Sequence, residues 1–376
     1  MNKINYPSMP KEKVDFENEY YDALIKTNVA KINTHLKTIP YKAAPLNFET
    51  LVKLPLHELI SLMPAIEKYS DSKKRSITKK GKKVVVNKFL DLFNYEGNQQ
   101  NIAGFFMAKT EFRSCCYCSI DYINAFADFP DYKDELVFVD TASSSELELI
   151  EGIDKSIAKS IIAGRRKKGY SDISKIPASK KIQDNIKKSI YEDSHNHFTL
   201  DHLIPQNAGK FYSLCLYNLV PSCYACNSKF KKKIEFKIDS DLIYVSPTTD
   251  SYSVRENFEF QIFYSVSLDK IKNVADFRLT KKITKHHGQM ENYLRMFKIM
   301  GRYTYHKDQI LKLIENKVNY SDSKIKELSS DTGISQRELR KMIFGEDLYN
   351  SEFDQHPFVK FRRDIAKNNI NIKGIL

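Results

Sequence analysis

The chain of 376 residues contains no tryptophan, so its aromatic content is carried by 22 Tyr and 23 Phe. It has no apolar run approaching the about 20 consecutive residues that a membrane helix needs. Its opening, MNKINYPSMPKEK, lacks the apolar core of a secretory leader. No internal repeat and no low-complexity tract interrupts it, which excludes solenoid and fibrous architectures. These absences point to a cytoplasmic globular protein with no membrane partner, in which six cysteines serve as thiols or metal ligands rather than disulfides.

What is present is size and positive charge. The length suits roughly two to three domains of about 150 residues each, and 60 Lys and Arg against 47 Asp and Glu leave a net charge of +13. Such a field favours polyanions. Residues 73–88, KKRSITKKGKKVVVNK, hold eight of the basic residues around one glycine. That stretch reads as a basic loop or hairpin, either a solvated face or a phosphate contact.

Helical spacing of apolar residues, as in Leu56, Leu59, Ile60 and Met63, runs through residues 12–70. A short alternating strand is expected at Phe198, Leu200 and Leu203, an aromatic strand pair at 242–246 and 257–266, and helices from about 268 to the end. Within that last region, residues 325–344 could imitate a DNA-reading helix-turn-helix, but paired core helices are the simpler reading.

Two Cys-x-x-Cys pairs, Cys115 with Cys118 and Cys223 with Cys226, supply the four sulfurs of a tetrahedral structural zinc site. Their wide separation makes sense if residues 119–199 are largely an insertion between two halves of one metal fold. Cys116 and Cys215 are expected to be packed thiols. Around the second pair lie Asp201, His202, Asn218 and Asn227. An imidazole base beside oxygen ligands for a divalent cation is the equipment phosphodiester hydrolysis requires.

The ordered set Asp-His-x-x-Pro, Asn-Leu and Cys-x-x-Cys-Asn resembles the HNH, or ββα-metal, endonucleases whose core is held by four cysteines, with the arrangement nearest to that of phage endonuclease VII. The resemblance implies His202 as general base, Asp201 and Asn227 as ligands of Mg²⁺ or Mn²⁺, and Asn218 as the residue fixing the loop that orients His202. The adjacent His195 and His197 match no spaced position of that motif. The runs Cys115-Cys116-Tyr117-Cys118 and LYNLVPSCYACNSKFK also look like a group of bacterial HNH proteins that accompany ATPases or retron reverse transcriptases and their non-coding RNA in phage-defence loci. This implies a DNA-cleaving defence effector with such a partner. An RNA-cleaving nuclease on the same core, or a catalytically silent zinc-stabilised binding subunit, are the competing readings.

Residues 139–191 have a separate logic. Ser143 and Glu146 form a capping box, Gly152 ends that helix, and Ile157, Ile161 and Ile162 mark the next. The block looks like a helix-hairpin-helix DNA-binding module of the competence-protein type, with Asp154 where a glycine is usual and the second hairpin lacking its glycines; a purely structural or protein-docking insert is the competing reading. Arg165, Arg166, Lys167, Lys168, Lys180 and Lys181 in this block, and Lys229 beside the second zinc knuckle, are the candidate nucleic-acid contacts. The expected architecture is therefore α+β: a helical region with a basic segment at 1–100, a first knuckle at 101–138, the insert at 139–191, a catalytic core at 192–267 and a helical region at 268–376.

Overall fold

The computed structural model describes residues 1–42, 44–79, 82–165, 169–191, 195–206, 209–231 and 236–376, without the side chains of Ile77, Lys79, Lys82 and Val84. The fold mixes, among the described residues, many helices with four separate two-stranded antiparallel sheets, an α+β composition. Among the described residues, no helix is long and apolar enough to cross a membrane. The chain divides into two compact units, one made of Met1–Ile123 with Thr199–Leu376 and the other of Asn124–Phe198.

In the first unit the chain opens with α1 (Pro10–Asp22), α2 (Val29–Leu36), α3 (Phe48–Lys53) and α4 (Leu56–Ser72). Asn28 and Asn47 start α2 and α3 by accepting hydrogen bonds from the free backbone N–H groups of Lys31 and Thr50. A hairpin of β1 (Arg75–Lys79) and β2 (Lys82–Val86) follows, and then α5 (Tyr95–Lys109), capped by Asn94.

The second unit has its own core of Phe138, Val139, Leu147, Ile150, Ala158, Ile161, Ile182 and Ile186. Its helices are α6 (Glu135–Thr141), α7 (Ser144–Glu148), α8 (Lys155–Gly164) and α9 (Lys180–Ile190). The capping box at Ser143 and Glu146 starts α7, Gly152 takes φ +94° between α7 and α8, and Asp154 caps α8 by accepting from the N–H of Ile157 at 2.8 Å. The unit is wider than the 139–191 block because Phe129, Tyr132 and Leu136 pack onto the same core. Its two ends meet: β3 (Ala125–Phe126) pairs with β4 (His195–Asn196).

Back in the first unit, β5 (Thr199–His202) pairs with β6 (Leu219–Ser222), setting Asp201 opposite Val220 and His202 opposite Leu219. A wide-turned π-helix, Ala225–Phe230, comes next. Then follow α10 (Val254–Asn257), β7 (Phe258–Phe263) and β8 (Arg278–Ile283). The expectation of a strand at 242–246 fails. That stretch lies in a 3₁₀ turn, Ser240–Tyr244, started by the Asp239 side chain accepting from the N–H of Asp241. The partner of β7 is β8, inside a region whose pattern reads as helical, and the pairing buries Phe258, Phe260 and Ile262 on one face of β7. The chain closes with α11 (His287–Met296), α12 (Ile299–Thr304), α13 (Lys307–Asn319), α14 (Asp322–Thr332), α15 (Gln336–Phe344) and α16 (Val359–Asn368).

The second unit should be stabilised from within. Truncating fully buried Ile161 to Ala removes packed methyl groups and should cost about 2–5 kcal/mol. Chemical unfolding followed by hydrogen exchange should show that loss inside Asn124–Phe198, with protection of β5 and β6 unchanged. A loss spread equally over both units would contradict a self-contained core.

Candidate functional site: a four-cysteine cluster and an Asp-His cleft

Cys115 and Cys118 sit on a tight knuckle. The N–H of Ser119 donates to the Cys115 carbonyl at 2.9 Å, the N–H of Cys115 donates to the Asp121 carbonyl at 2.9 Å, and Ser119 takes φ +51° to turn the chain. The second knuckle is the step from β6 into the Ala225–Phe230 helix, where the N–H of Asn227 donates to the Cys223 carbonyl at 3.1 Å. All four sulfurs, from Cys115, Cys118, Cys223 and Cys226, lie buried within 4.8 Å of one another. Cys118 Sγ and Cys223 Sγ are 3.9 Å apart. Four thiolates at about 2.3 Å from a tetrahedral ion sit about 3.8 Å from each other, so the cluster can hold a metal ion such as zinc.

Side chains from the C-terminal helices surround the cluster. Arg302 on α12 donates to Cys226 Sγ at 3.2 Å, to Cys118 Sγ at 3.4 Å and to Asp121 Oδ2 at 3.1 Å. Four thiolates around a divalent ion carry net negative charge, and this guanidinium offsets it. Tyr303 and Tyr293 donate their hydroxyls to the carbonyls of Cys118 and Tyr117 at 2.7 and 2.5 Å. Cys116 and Cys215 stand outside the cluster, buried, with thiols pushed up by burial.

Residues on either side of Cys226 in the chain also reach a cleft of about 380 Å³ lined by Asp201, His202, Gln206, Tyr224, Asn227 and Lys231, among others. Asp201 Oδ2 accepts from the Tyr117 hydroxyl at 2.5 Å and from the Lys231 ammonium at 2.6 Å. Burial, with Asp201 adding to it, pushes the Tyr117 phenol up, so it stays a donor. Lys231 also donates to the His202 carbonyl. The side chains of Lys231 and Asp201 are each only 6% exposed. Two oxygens thus converge on a buried cation.

His202 Nε2 lies 3.1 Å from the Ser213 carbonyl. A carbonyl can only accept, so a neutral ring that donates to it carries its proton on Nε2 and keeps a lone pair on Nδ1; the Gln206 amide nitrogen also approaches Nε2, at 3.4 Å. Burial lowers the imidazole to about 4, against the opposing pull of Asp201, so the ring is neutral near pH 7. The Tyr95 ring packs against it edge-on at 4.6 Å.

Asn218 holds the connection between β5 and β6. Its Oδ1 accepts from the N–H of Ile204 at 2.7 Å, and its amide donates to the carbonyls of Ile204 and Tyr212 at 3.1 and 3.0 Å. The N-terminal helices brace the same loop, with the Tyr20 hydroxyl on the Leu214 carbonyl at 2.9 Å. Asn227 donates to Thr199 Oγ1 at 3.0 Å and to the Leu200 carbonyl at 3.4 Å. Both hydrogens of its amide are engaged, which leaves Oδ1 as the atom free to act as a ligand.

The structure therefore brings Asp201, His202 and Asn227 to one cleft and puts Asn218 behind it. The candidate nucleic-acid contacts fare differently. The Arg165 guanidinium donates to the carbonyls of Val139 and Ala142 at 2.7 and 2.6 Å, tying off the end of α6 instead of facing outward. Lys181 forms an exposed ion pair with Glu151 at 3.1 Å. Lys180 and Lys229 are exposed, and Arg166, Lys167 and Lys168 lie outside the described residues. Sequence reading missed Lys231, Tyr117, Tyr95 and Arg302. Only Lys231 had a signal, its place one helical turn after Asn227.

Comparison with models of protein families, with curated proteins and with solved structures finds no match to this chain.

The sulfur geometry makes a direct prediction. Purified protein should carry one zinc per chain, and Cys226→Ser should lose it together with cooperative unfolding of the first unit, because ligation and folding are coupled. Elemental analysis finding no bound metal in folded wild-type protein would contradict the assignment.

Proposed function

We propose that the protein is a metal-dependent endonuclease of the HNH type that hydrolyses DNA phosphodiester bonds, with zinc in the cysteine cluster as a structural ion. The observation that carries this reading is His202. A neutral imidazole with Nε2–H fixed on a carbonyl and Nδ1 unprotonated stands beside Asp201 and Asn227, on a strand pair followed by a short helix. A general base needs that state: a lone pair at the operating pH and a ring that cannot rotate away.

The chemistry of the donor set fits a hard divalent cation. Asp201 and Asn227 offer oxygens, and the Lys231 ammonium resting on Asp201 and on the His202 carbonyl means that the cleft accommodates positive charge. A bound Mg²⁺ or Mn²⁺ would stabilise charge on the phosphate and on the leaving oxygen. The remaining roles belong to the protein. His202 Nδ1 takes a proton from the attacking water. The Ser213 carbonyl holds the resulting imidazolium through Nε2–H. Asn218 keeps the loop that carries Ser213 in place, and Tyr117 fixes the Asp201 carboxylate.

Incubation of the purified protein with plasmid, single-stranded DNA and RNA, each with Mg²⁺ or Mn²⁺, tests the reading. DNA should be cut, and His202→Ala should lower the rate by about 10²–10⁴-fold with zinc content and DNA affinity retained. Cleavage of RNA alone would make it a ribonuclease, and no cleavage would leave a binding subunit. Wild-type activity in His202→Ala would refute the mechanism.

Lys231 gives a second check. Lys231→Met leaves Asp201 buried without its cation and should cost about 3–5 kcal/mol. Added Mn²⁺ should raise the melting temperature of this variant more than that of the wild type, because the ion fills the vacated place. Equal shifts in the two proteins would count against Asp201 as a metal ligand.

A further inference from the structure

The β1–β2 hairpin belongs to none of the machinery described so far, and its charge is extreme. Residues 73–88 contain eight Lys or Arg and no Asp or Glu. The strands pair over their full length, from Arg75 opposite Val86 to Lys79 opposite Lys82, and among the described residues no third strand joins them. Arg75, Ser76, Thr78, Lys83 and Val85 are exposed. Lys74 pairs with Asp71 at 2.7 Å, whereas Arg75, Lys83 and Lys88 have no acidic partner among the described residues.

A two-stranded ribbon alone in water is only marginally stable. Lysines do protect open strand edges from pairing with other chains, but this many like charges without one acid repel each other. A polyanion laid along the ribbon removes that repulsion. A duplex major groove admits a two-stranded ribbon.

The root of the ribbon joins it to the catalytic cleft. Asn87, just after β2, donates to the carbonyl and hydroxyl oxygens of Ser70 at 2.8 and 2.9 Å, locking the base of the hairpin onto α4. Phe89 then buries itself against Tyr69 and Phe93, Phe93 meets Phe211, and Tyr95 packs on His202. Val86 and Tyr95 are nine residues apart, so the end of β2 lies at most about 30 Å from the Tyr95 backbone. That is within one helical turn of duplex DNA, about 34 Å.

We infer that the β1–β2 ribbon is a binding arm for the phosphate backbone of double-stranded DNA, holding the duplex within one turn of the His202 cleft. The inference rests on the nuclease reading for the purpose of the arm, but not for the binding itself. Contacts to phosphates position the duplex and do not read its sequence.

The test uses full-length protein carrying His202→Ala, so that DNA stays intact. In that background Arg75→Gln, Lys83→Gln and Lys88→Gln are combined, and anisotropy of two unrelated labelled duplexes is titrated across a range of salt. Affinity should fall at least about 10-fold, equally for both sequences, and the log–log salt slope should flatten by about 0.9 for each phosphate that the protein no longer neutralises. The charge-keeping set Arg75→Lys, Lys83→Arg and Lys88→Arg should bind like the parent. Unchanged affinity and slope in the Gln set would overturn the inference, as would equal weakening in the charge-keeping set.

A second measurement needs no variant of the ribbon: amine acetylation of Lys73, Lys83 and Lys88 should be slowed by bound duplex, and undiminished labelling would also overturn it. The two readings fail separately. Cleavage without a ribbon effect refutes the arm alone, and ribbon-dependent binding without any cleavage refutes the nuclease alone.

Discussion

Four buried sulfurs that lie within 4.8 Å of one another, close enough to hold one metal ion, are the constraint on which the first unit depends. Cys118 and Cys223 are 105 positions apart in the chain, yet their sulfurs are 3.9 Å apart. Bringing them together closes a loop long enough to contain an entire second unit with its own core, and the entropy of that closure has to be offset by what the closed first unit gains. The consequences spread outward. Cys226 and Asn227 are neighbours on one short helix, so fixing the sulfur fixes the amide that faces the cleft. Tyr117 lies between two sulfur ligands and presents its hydroxyl to Asp201. The C-terminal helices add Arg302, Tyr293 and Tyr303 around the cluster.

The cleft beside the cluster combines two opposed needs. Asp201 and Lys231 form a buried ion pair, which is costly to desolvate and even more costly to break. His202 solves a different problem. Burial keeps its ring neutral, and the Ser213 carbonyl chooses which nitrogen carries the proton. Neither feature depends on a loop free to move: Asn218 ties down the segment between β5 and β6 with three hydrogen bonds.

The features of the fold and the site that were legible in the sequence are those set by local spacing, Asp201, His202, Asn218 and Asn227 among them. Cys-x-x-Cys spacing announces a knuckle, and the Ser143 and Glu146 capping box needs only four residues to form. Residues defined by tertiary burial were not legible. Lys231 sits in the run KFKKK, where a lysine looks like one more solvated charge, and only the fold shows it sealed against Asp201. Arg165 shows the converse: it belongs to a basic run that suggests phosphate, and the fold places two of its nitrogens on carbonyls at the end of α6. The strand expected at 242–246 failed for a related reason. Its aromatic and β-branched residues favour a strand, but the Asp239 cap turns the backbone locally, and β7 finds its partner farther along the chain.

Hydrogen exchange with the metal present and after its removal by a chelator tests the central claim, that the cysteine cluster holds the cleft together. Loss of protection in β5, in β6 and in the Ala225–Phe230 helix, with α7, α8 and α9 still protected, is the predicted result. Full protection of β5 and β6 in metal-free protein would contradict the account.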